Sequence, residues 1–298
     1  MAKYSWSEVF MSIEGEGPYS GWPTVYIRFT GCNFTCMGFN NPTNEDTTSL
    51  ESLGFDPKDY NNIYDIPLIS KGCDSVYSWD DKFSHMWTEG NEEELAQAVI
   101  NVLPHKQLLN PLSGRPTILS LTGGEPTLRA KTLPKLLNHQ ILADLQIILI
   151  ETNCSVPLRE EFVEMLAFWS AQAPGRKVIW SNSPKLSVSG ESWDKAIRPD
   201  IAIHQIKYYS YIKNTHIEQY FKFVCGPDEA DFDEVERAMS CYYTIGVPYN
   251  VGVYIMPVAC LEEQQQQIAA KVARLCIERG YIYCHRIQNS VFGNGVGT

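Results

Sequence analysis

The stretch RFTGCNFTCMGFNN, Arg28 to Asn41, sets the terms on which the rest of the chain is read. Cys32 and Cys36 stand four apart in a loop bearing Gly and Asn, directly after a run of β-branched and aromatic residues. Thiols at that spacing open a metal site, and a third ligand three residues later would fall at position 39. Position 39 is Phe. Either the site is incomplete or its third cysteine has been moved.

Outward from this loop the chain alternates between two kinds of segment. Strands are expected at 24–31, 117–124, 145–153, 177–185, 219–226, 250–257 and 282–288, most of them nearly continuous in apolar character. Strands buried on both faces read that way, as in parallel sheets. Helices are expected at 91–103, where Asn91 precedes an acidic first turn, and at 227–246 and 261–280, both ending at Gly. Repeated strand–helix–strand units predict an α/β fold with a mainly parallel sheet. Residues 37–72, rich in Asn, Asp, Pro, Ser and Thr, are too long for an ordinary connection.

The bulk numbers exclude some classes. The 298 residues carry a formal net charge of −11, which disfavours a phosphate-gripping nucleic-acid binder. No run of apolar residues is long enough for a transmembrane helix, and the start MAKYSWSEVFMSIEGEG has no signal-peptide core. A cytoplasmic chain with reduced thiols is expected. Nine cysteines is an odd number, and Cys154, Cys225, Cys241, Cys276 and Cys284 sit singly in apolar runs, which reads as burial rather than a disulfide framework. The histidines show no ligand spacing.

The first cysteine beyond the long polar segment is Cys73, in KGCDSVYSWDD. Loop closure entropy grows slowly with length, so an insertion inside a metal motif is tolerable. Three thiolates can hold a [4Fe–4S] cluster with one iron open; they suit zinc equally well. SLTGGEPTL, 120–128, at a strand tip where βα loops build barrel sites, is the second signal.

A cysteine triad followed by GGEP resembles the radical S-adenosylmethionine enzymes. More narrowly, SEVFMSIEGEGPYSGWPTVYIRFTGCNFTC (7–36), CDSVYSW (73–79), TGGEP, ETNCS, SPK, KFV and MP, in this order, resemble the 7-carboxy-7-deazaguanine synthase family. The resemblance implies a single domain over 1–298, an incomplete (β/α)6-type TIM barrel of the radical SAM kind, with 37–72 as an insertion in the cluster-binding loop. It implies a lyase of queuosine and deazapurine biosynthesis that converts 6-carboxy-5,6,7,8-tetrahydropterin to 7-carboxy-7-deazaguanine with loss of ammonia. The implied cofactors are a [4Fe–4S] cluster, S-adenosyl-L-methionine and Mg²⁺. A homodimer and an electron donor such as flavodoxin are the expected partners.

Carried onto this sequence, the resemblance gives Cys32, Cys36 and Cys73 to the cluster and Ser75 to Mg²⁺, with Asp74 in support. Gly123, Gly124, Glu125, Ser183, Pro184, Lys185, Met256, Pro257, Val258 and Ala259 are expected along the sulfonium cofactor, Met256 through its backbone. Arg28, Thr122, Gln288 and the backbone of Ile13, Glu14 and Gly15 are expected at the substrate; a planar guanidinium suits its carboxylate. No further catalytic residue is assigned, and His285 is read as structural. Two alternatives stay open: a different radical SAM reaction such as a glycyl-radical activase, and a zinc-stabilised binding module.

Overall fold

The computed structural model describes residues 3–43, 45–209 and 211–297. The ranges 1–298 and 37–72 also contain Met1, Ala2, Asn44, Ser210 and Thr298, which lie outside the described residues.

The seven apolar runs become strands of one sheet: β2 (Pro23–Phe29), β4 (Ile118–Gly123), β5 (Ile147–Thr152), β6 (Lys177–Asn182), β7 (Ile217–Cys225), β8 (Gly252–Pro257) and β9 (Ile282–Tyr283). They lie side by side in that order and all pair in parallel. Two further strands, β1 (Tyr4–Ile13) and β3 (Thr88–Gly90), extend the sheet antiparallel beyond β2. The result is a mixed α/β fold with nine strands in the order β3-β1-β2-β4-β5-β6-β7-β8-β9.

Period-two alternation explains why the parallel strands look apolar throughout. On one face Ile27, Leu121, Ile150, Trp180, Phe223 and Ile255 pack in the main core with the helices Glu92–Val102, Glu160–Ala171, Glu229–Thr244 and Glu262–Arg279. On the other face the strands change character along their length. Near their starts Ile118, Ile147, Leu149, Ile179 and Tyr220 form a second apolar cluster with Tyr19, Trp22 and Tyr254. Nearer their ends the same face carries Arg28, Thr122, Glu151, Ser181, Lys222 and Met256, all lining one cavity. The sheet thus has a dry end and a polar end, and the functional side is at the strand tips.

The helix ends follow their sequence signals. Asn91 accepts from the N–H groups of Glu93 and Glu94 at 2.9 and 3.0 Å, and Glu94 returns a bond to the Asn91 N–H at 2.8 Å, a complete capping box. Gly280 ends Glu262–Arg279 in the left-handed conformation.

Three of the differences from the sequence reading have a plain cause. β1 carries Ser5, Ser7, Glu8 and Ser12 among its apolar residues, which masks a strand signal. Helix Glu160–Ala171 buries Phe162, Val163, Leu166, Ala167 and Trp169 around much of its girth, leaving little amphipathic period. The expected strand 282–288 stops at Tyr283, and Ile287–Phe292 is helical. Arg286, drawn into ion pairing with Asp74, turns the chain there.

Residues 37–72 are more than a loop. They contain the short helix Leu50–Leu53 and single turns at Pro57–Asp59 and Ile63–Asp65. A small core of Ile63, Ile66, Val76, Tyr77 and Phe83, joined by Leu53, Phe55 and Tyr60, anchors them. No helix among the described residues is long and apolar enough to cross a membrane.

Candidate active site

The cavity at the strand tips has a volume of about 290 Å³ and is lined by residues of β1, β2 and β4 to β8, the insertion and the C-terminal segment. At one end Cys32, Cys36 and Cys73 come together. Cys36 packs with Phe34 and Ala196, and Cys32, Phe39 and Cys73 close the group. The loop that presents the first two is shaped by a single carboxylate: Glu191 Oε1 accepts the N–H groups of Thr35 and Cys36, both at 2.8 Å. Cys36 takes a left-handed backbone (φ 49°), a conformation costing on the order of 1 kcal/mol that those bonds offset. Asn153 and Asn33 tie the same loop to the end of β5 through a 2.8 Å bond.

Burial pushes the Cys32 thiol up to about 12, and raises Cys36 and Cys73 as well; nearby Lys185 pulls all three the other way. Among the described residues no three His, Cys, Asp or Glu side chains draw together as ligands of one metal ion. Zinc thiolates would each sit about 2.3 Å from a shared centre. Three thiols lining one cavity are the donor type that zinc and iron–sulfur clusters both use.

The glycine pair of GGEP has a reason that sequence alone did not reveal. A Cβ on Gly123 would lie 2.2 Å from the Phe29 carbonyl oxygen, and one on Gly124 would lie 2.1 Å from that of Gly31. Gly124 N–H and Glu125 N–H bond those same carbonyls at 3.1 and 2.9 Å. The glycines let the tip of β4 press against the cysteine loop, and both also line the cavity.

Glu125 does not line the cavity. Its buried carboxylate accepts from the Thr127 N–H and hydroxyl at 3.0 and 2.5 Å, the Thr152 hydroxyl at 2.8 Å and the Asn153 N–H at 2.7 Å. It staples β4 to β5 and has little capacity left for a ligand. Pro184 and Pro257 are also absent from the lining, whereas Ser183, Lys185, Met256, Val258 and Ala259 are part of it.

Arg28 sits at the centre of a chain of polar contacts. Its Nε donates to Glu8 at 2.5 Å and its Nη1 to the Ser75 hydroxyl at 3.0 Å. Ser75 donates to Asp74 Oδ1 at 3.2 Å, and Arg286 Nη1 donates to Asp74 Oδ2 at 2.8 Å. Tyr77 completes the chain with a 3.0 Å bond to Glu8. Burial opposes the Arg28 charge, but Tyr77 and Glu8 outweigh it, so its pKa is raised. Burial likewise opposes ionisation of Asp74, and Arg286 and Arg28 reverse that, holding it below the usual carboxylate range.

The far end of the cavity is acidic. Lys222 of β7 pairs with Glu16, and Glu14 and Glu151 line the same space. Glu151 accepts from the Ser120 hydroxyl at 2.9 Å. Glu14 accepts from the Glu16 N–H at 3.2 Å and contacts the Tyr26 hydroxyl at 3.2 Å. Burial, then Glu151 and Glu16, raise the Glu14 carboxyl well above its ordinary value. Burial lowers Lys222, but Glu16 and Glu151 win and raise it.

The backbone strip expected from Ile13, Glu14 and Gly15 is already engaged. The Ile13 carbonyl takes the Tyr26 hydroxyl at 3.2 Å, Glu14 N–H and carbonyl bond Trp22 and Gly21 at 2.7 Å each, and the Gly15 carbonyl takes Ile287 N–H at 3.2 Å. A Cβ on Gly15 would overlap the Gln288 amide, so that glycine makes room for the C-terminal helix. Of the strip only Glu14 lines the cavity, together with Arg28, Thr122 and Gln288. His285 contacts Tyr283 and Ser290 instead. Sequence reading missed Glu16, Glu151, Lys222 and Arg286. A lysine inside the apolar run QYFKFVC was the available signal, since a charge there demands a partner.

No family model matches the chain. A protein named 7-carboxy-7-deazaguanine synthase from Pyrobaculum aerophilum is 25% identical over 97% of this chain and 95% of its own length. Proteins of the same name from Rhodopirellula baltica and Methanopyrus kandleri are 27% and 24% identical over 98% and 88% of this chain, and 88% and 83% of their own lengths. The crystal structure of QueE from Escherichia coli matches with a TM-score of 0.50 at 17% identity, over 95% of this chain and 93% of that one. Along nearly its whole length, then, the chain is similar to proteins named 7-carboxy-7-deazaguanine synthase, and it has the mixed α/β fold of QueE.

Proposed function

We propose that this chain is a 7-carboxy-7-deazaguanine synthase, a radical S-adenosylmethionine lyase that turns 6-carboxy-5,6,7,8-tetrahydropterin into 7-carboxy-7-deazaguanine with loss of ammonia. One observation carries the reading: Cys32, Cys36 and Cys73, separated by a long insertion, share a cavity with Arg28 and the β4 glycines. Similarity to proteins of that name over most of the chain supports it.

In this reading the three cysteines hold the [4Fe–4S] cluster, with Lys185 beside them offsetting thiolate charge. When bound, the cluster and S-adenosylmethionine supply the one-electron chemistry that starts hydrogen removal from the substrate. Gly123, Gly124, Ser183, Lys185, Met256, Val258 and Ala259 line the side of the cavity assigned to that cofactor. Arg28, its charge locked by Glu8, grips the substrate carboxylate. The oxygens of Ser75 and Asp74 suit a hard cation such as Mg²⁺. A hydroxyl that accepts from Arg28 and donates to Asp74 keeps one lone pair for it. Glu14 in its neutral form, with Thr122 and Gln288, faces the polar edge of the pterin. The apolar cluster at the strand starts keeps water from below.

The six long parallel strands β2 and β4 to β8 correspond to the incomplete (β/α)6-type barrel in this reading. Their direction, and the gathering of one face around a single cavity, support that assignment. The test is anaerobic reconstitution with iron and sulfide, then addition of the tetrahydropterin, S-adenosylmethionine, Mg²⁺ and a reductant. Formation of the deazaguanine with consumption of the pterin is expected. An iron-loaded protein that makes neither product nor 5′-deoxyadenosine would overturn the assignment.

A further inference from the structure

Four consecutive insertion residues, Ile66, Pro67, Leu68 and Ile69, line the active cavity, yet the chemistry above uses none of them. The segment is firmly held. Ile66 is buried in the small core with Tyr77 and Phe83, and Ile69 packs against it. The Ser70 carbonyl accepts from Asn40 at 2.9 Å and from Gln264 at 3.2 Å. Gly72 N–H donates to the Phe39 carbonyl at 2.7 Å, and the Cys260 thiol donates to the Gly72 carbonyl at 3.4 Å. From the other end of the chain Val296 joins the same core.

These bonds lay the insertion alongside the segment that follows β8. Val258 and Leu261 from that segment line the cavity too, so they continue an apolar strip with Leu68 and Ile69. Leu68 is the informative member. It is 50% exposed while its neighbour Ile66 is buried. A scattered surface leucine needs no explanation. A leucine fixed on a cavity wall, with packed chain on either side, offers an apolar face to whatever occupies the cavity. The strip has no charged side chain, which suits the face of a flat ring rather than its polar edge.

We propose that residues 66–69 form the wall against which a flat heteroaromatic ring of a bound ligand lies, making the insertion a specificity element of the site. This rests on the function proposed above, which brings two such rings into the cavity: the adenine of the sulfonium cofactor and the pterin. The experiment separates them.

Leu68→Asp and Leu68→Ser are compared with Leu112→Ser, whose leucine is exposed and does not line the cavity. For each reconstituted protein one measures iron content, the dissociation constant of S-adenosylhomocysteine by calorimetry, and the KM for the pterin. Leu68→Asp is expected to weaken one of these two constants by about tenfold, with iron content unchanged and Leu112→Ser silent. A loss confined to S-adenosylhomocysteine assigns the wall to adenine; a loss confined to KM assigns it to the pterin. Both constants within about twofold of wild type would overturn the proposal. Should the Leu68 variants unfold the small core, hydrogen exchange on the wild type decides. Amides of 63–70 that slow on ligand addition uphold it, and amides that do not change overturn it. Failure of the enzymatic reading shows separately, as a wild type that binds S-adenosylhomocysteine but yields no deazaguanine.

Discussion

The two ends of the cavity solve opposite problems. At the thiol end, three weakly acidic groups and a phenylalanine gather in an apolar setting, with one lysine nearby. Burial raises those thiols further, and a positive occupant would favour their thiolate forms. At the acid end, Glu14, Glu16 and Glu151 surround Lys222, and the balance is struck within the protein by one ion pair and one retained proton. The thiol end is a socket for a foreign charge; the acid end offsets most of its own charge and leaves one carboxylate over. That contrast predicts different responses to substitution.

The largest effect is expected at the thiol end. Under the proposed function Cys73→Ala removes a cluster ligand; because the Cys260 thiol lines the same cavity, it is combined with Cys260→Ala, and the anaerobically prepared double variant should lose its iron, sulfide and product formation together. Full iron content in that variant would break the contrast. Next is Lys222→Met, which leaves Glu16 and Glu151 facing each other without a counter-charge. Removing one partner of a buried pair costs about 3–5 kcal/mol, readable as a fall in urea midpoint. An unchanged midpoint would mean the acid end is wetter than its burial implies.

Arg28→Gln sharpens the comparison between the ends. It should raise the KM for the carboxylated substrate about tenfold to a hundredfold, as expected for a lost charge-assisted hydrogen bond. S-adenosylhomocysteine affinity should stay near wild type, and an equal loss of both would show that Arg28 shapes the whole cavity.

The smallest effect is Glu14→Gln. Burial raises the Glu14 carboxyl, so the folded chain retains a proton that the unfolded chain releases in the ordinary carboxylate range. Stability therefore declines as pH climbs from that range through the raised value. Glutamine carries no such proton, so the variant's melting temperature should fall less over that window. Parallel pH profiles for the two proteins would show that Glu14 is ionised in the fold.

The same contrast explains what could be read in advance. The thiol end was legible because its cysteines sit in short tags, RFTGCNFTC and CDSVYSW, and Cys73 packs in the same cluster as Cys32 and Cys36. The parallel strands were legible because both faces are buried. The acid end was legible only at Glu14, expected through its backbone; Glu151 and Lys222 come from separate strands, and only the sheet register brings them to one face. Arg286 was hidden inside an apparent strand, and only its partner Asp74 reveals why the chain turns there. Glu125, expected along the cofactor, makes four bonds to Thr127, Thr152 and Asn153 that staple β4 to β5, a role its tag did not announce.

The plug of Ile118, Ile147, Leu149, Ile179 and Tyr220 beneath the cavity has a consequence for traffic. With the strand starts packed by that cluster, traffic is directed towards the strand-tip side of the cavity. A molecule seated beside the buried Lys222 would then be covered by one bound nearer the strand tips. Binding order is then a property of the architecture, and a rate limited by release would be felt first by the deepest guest.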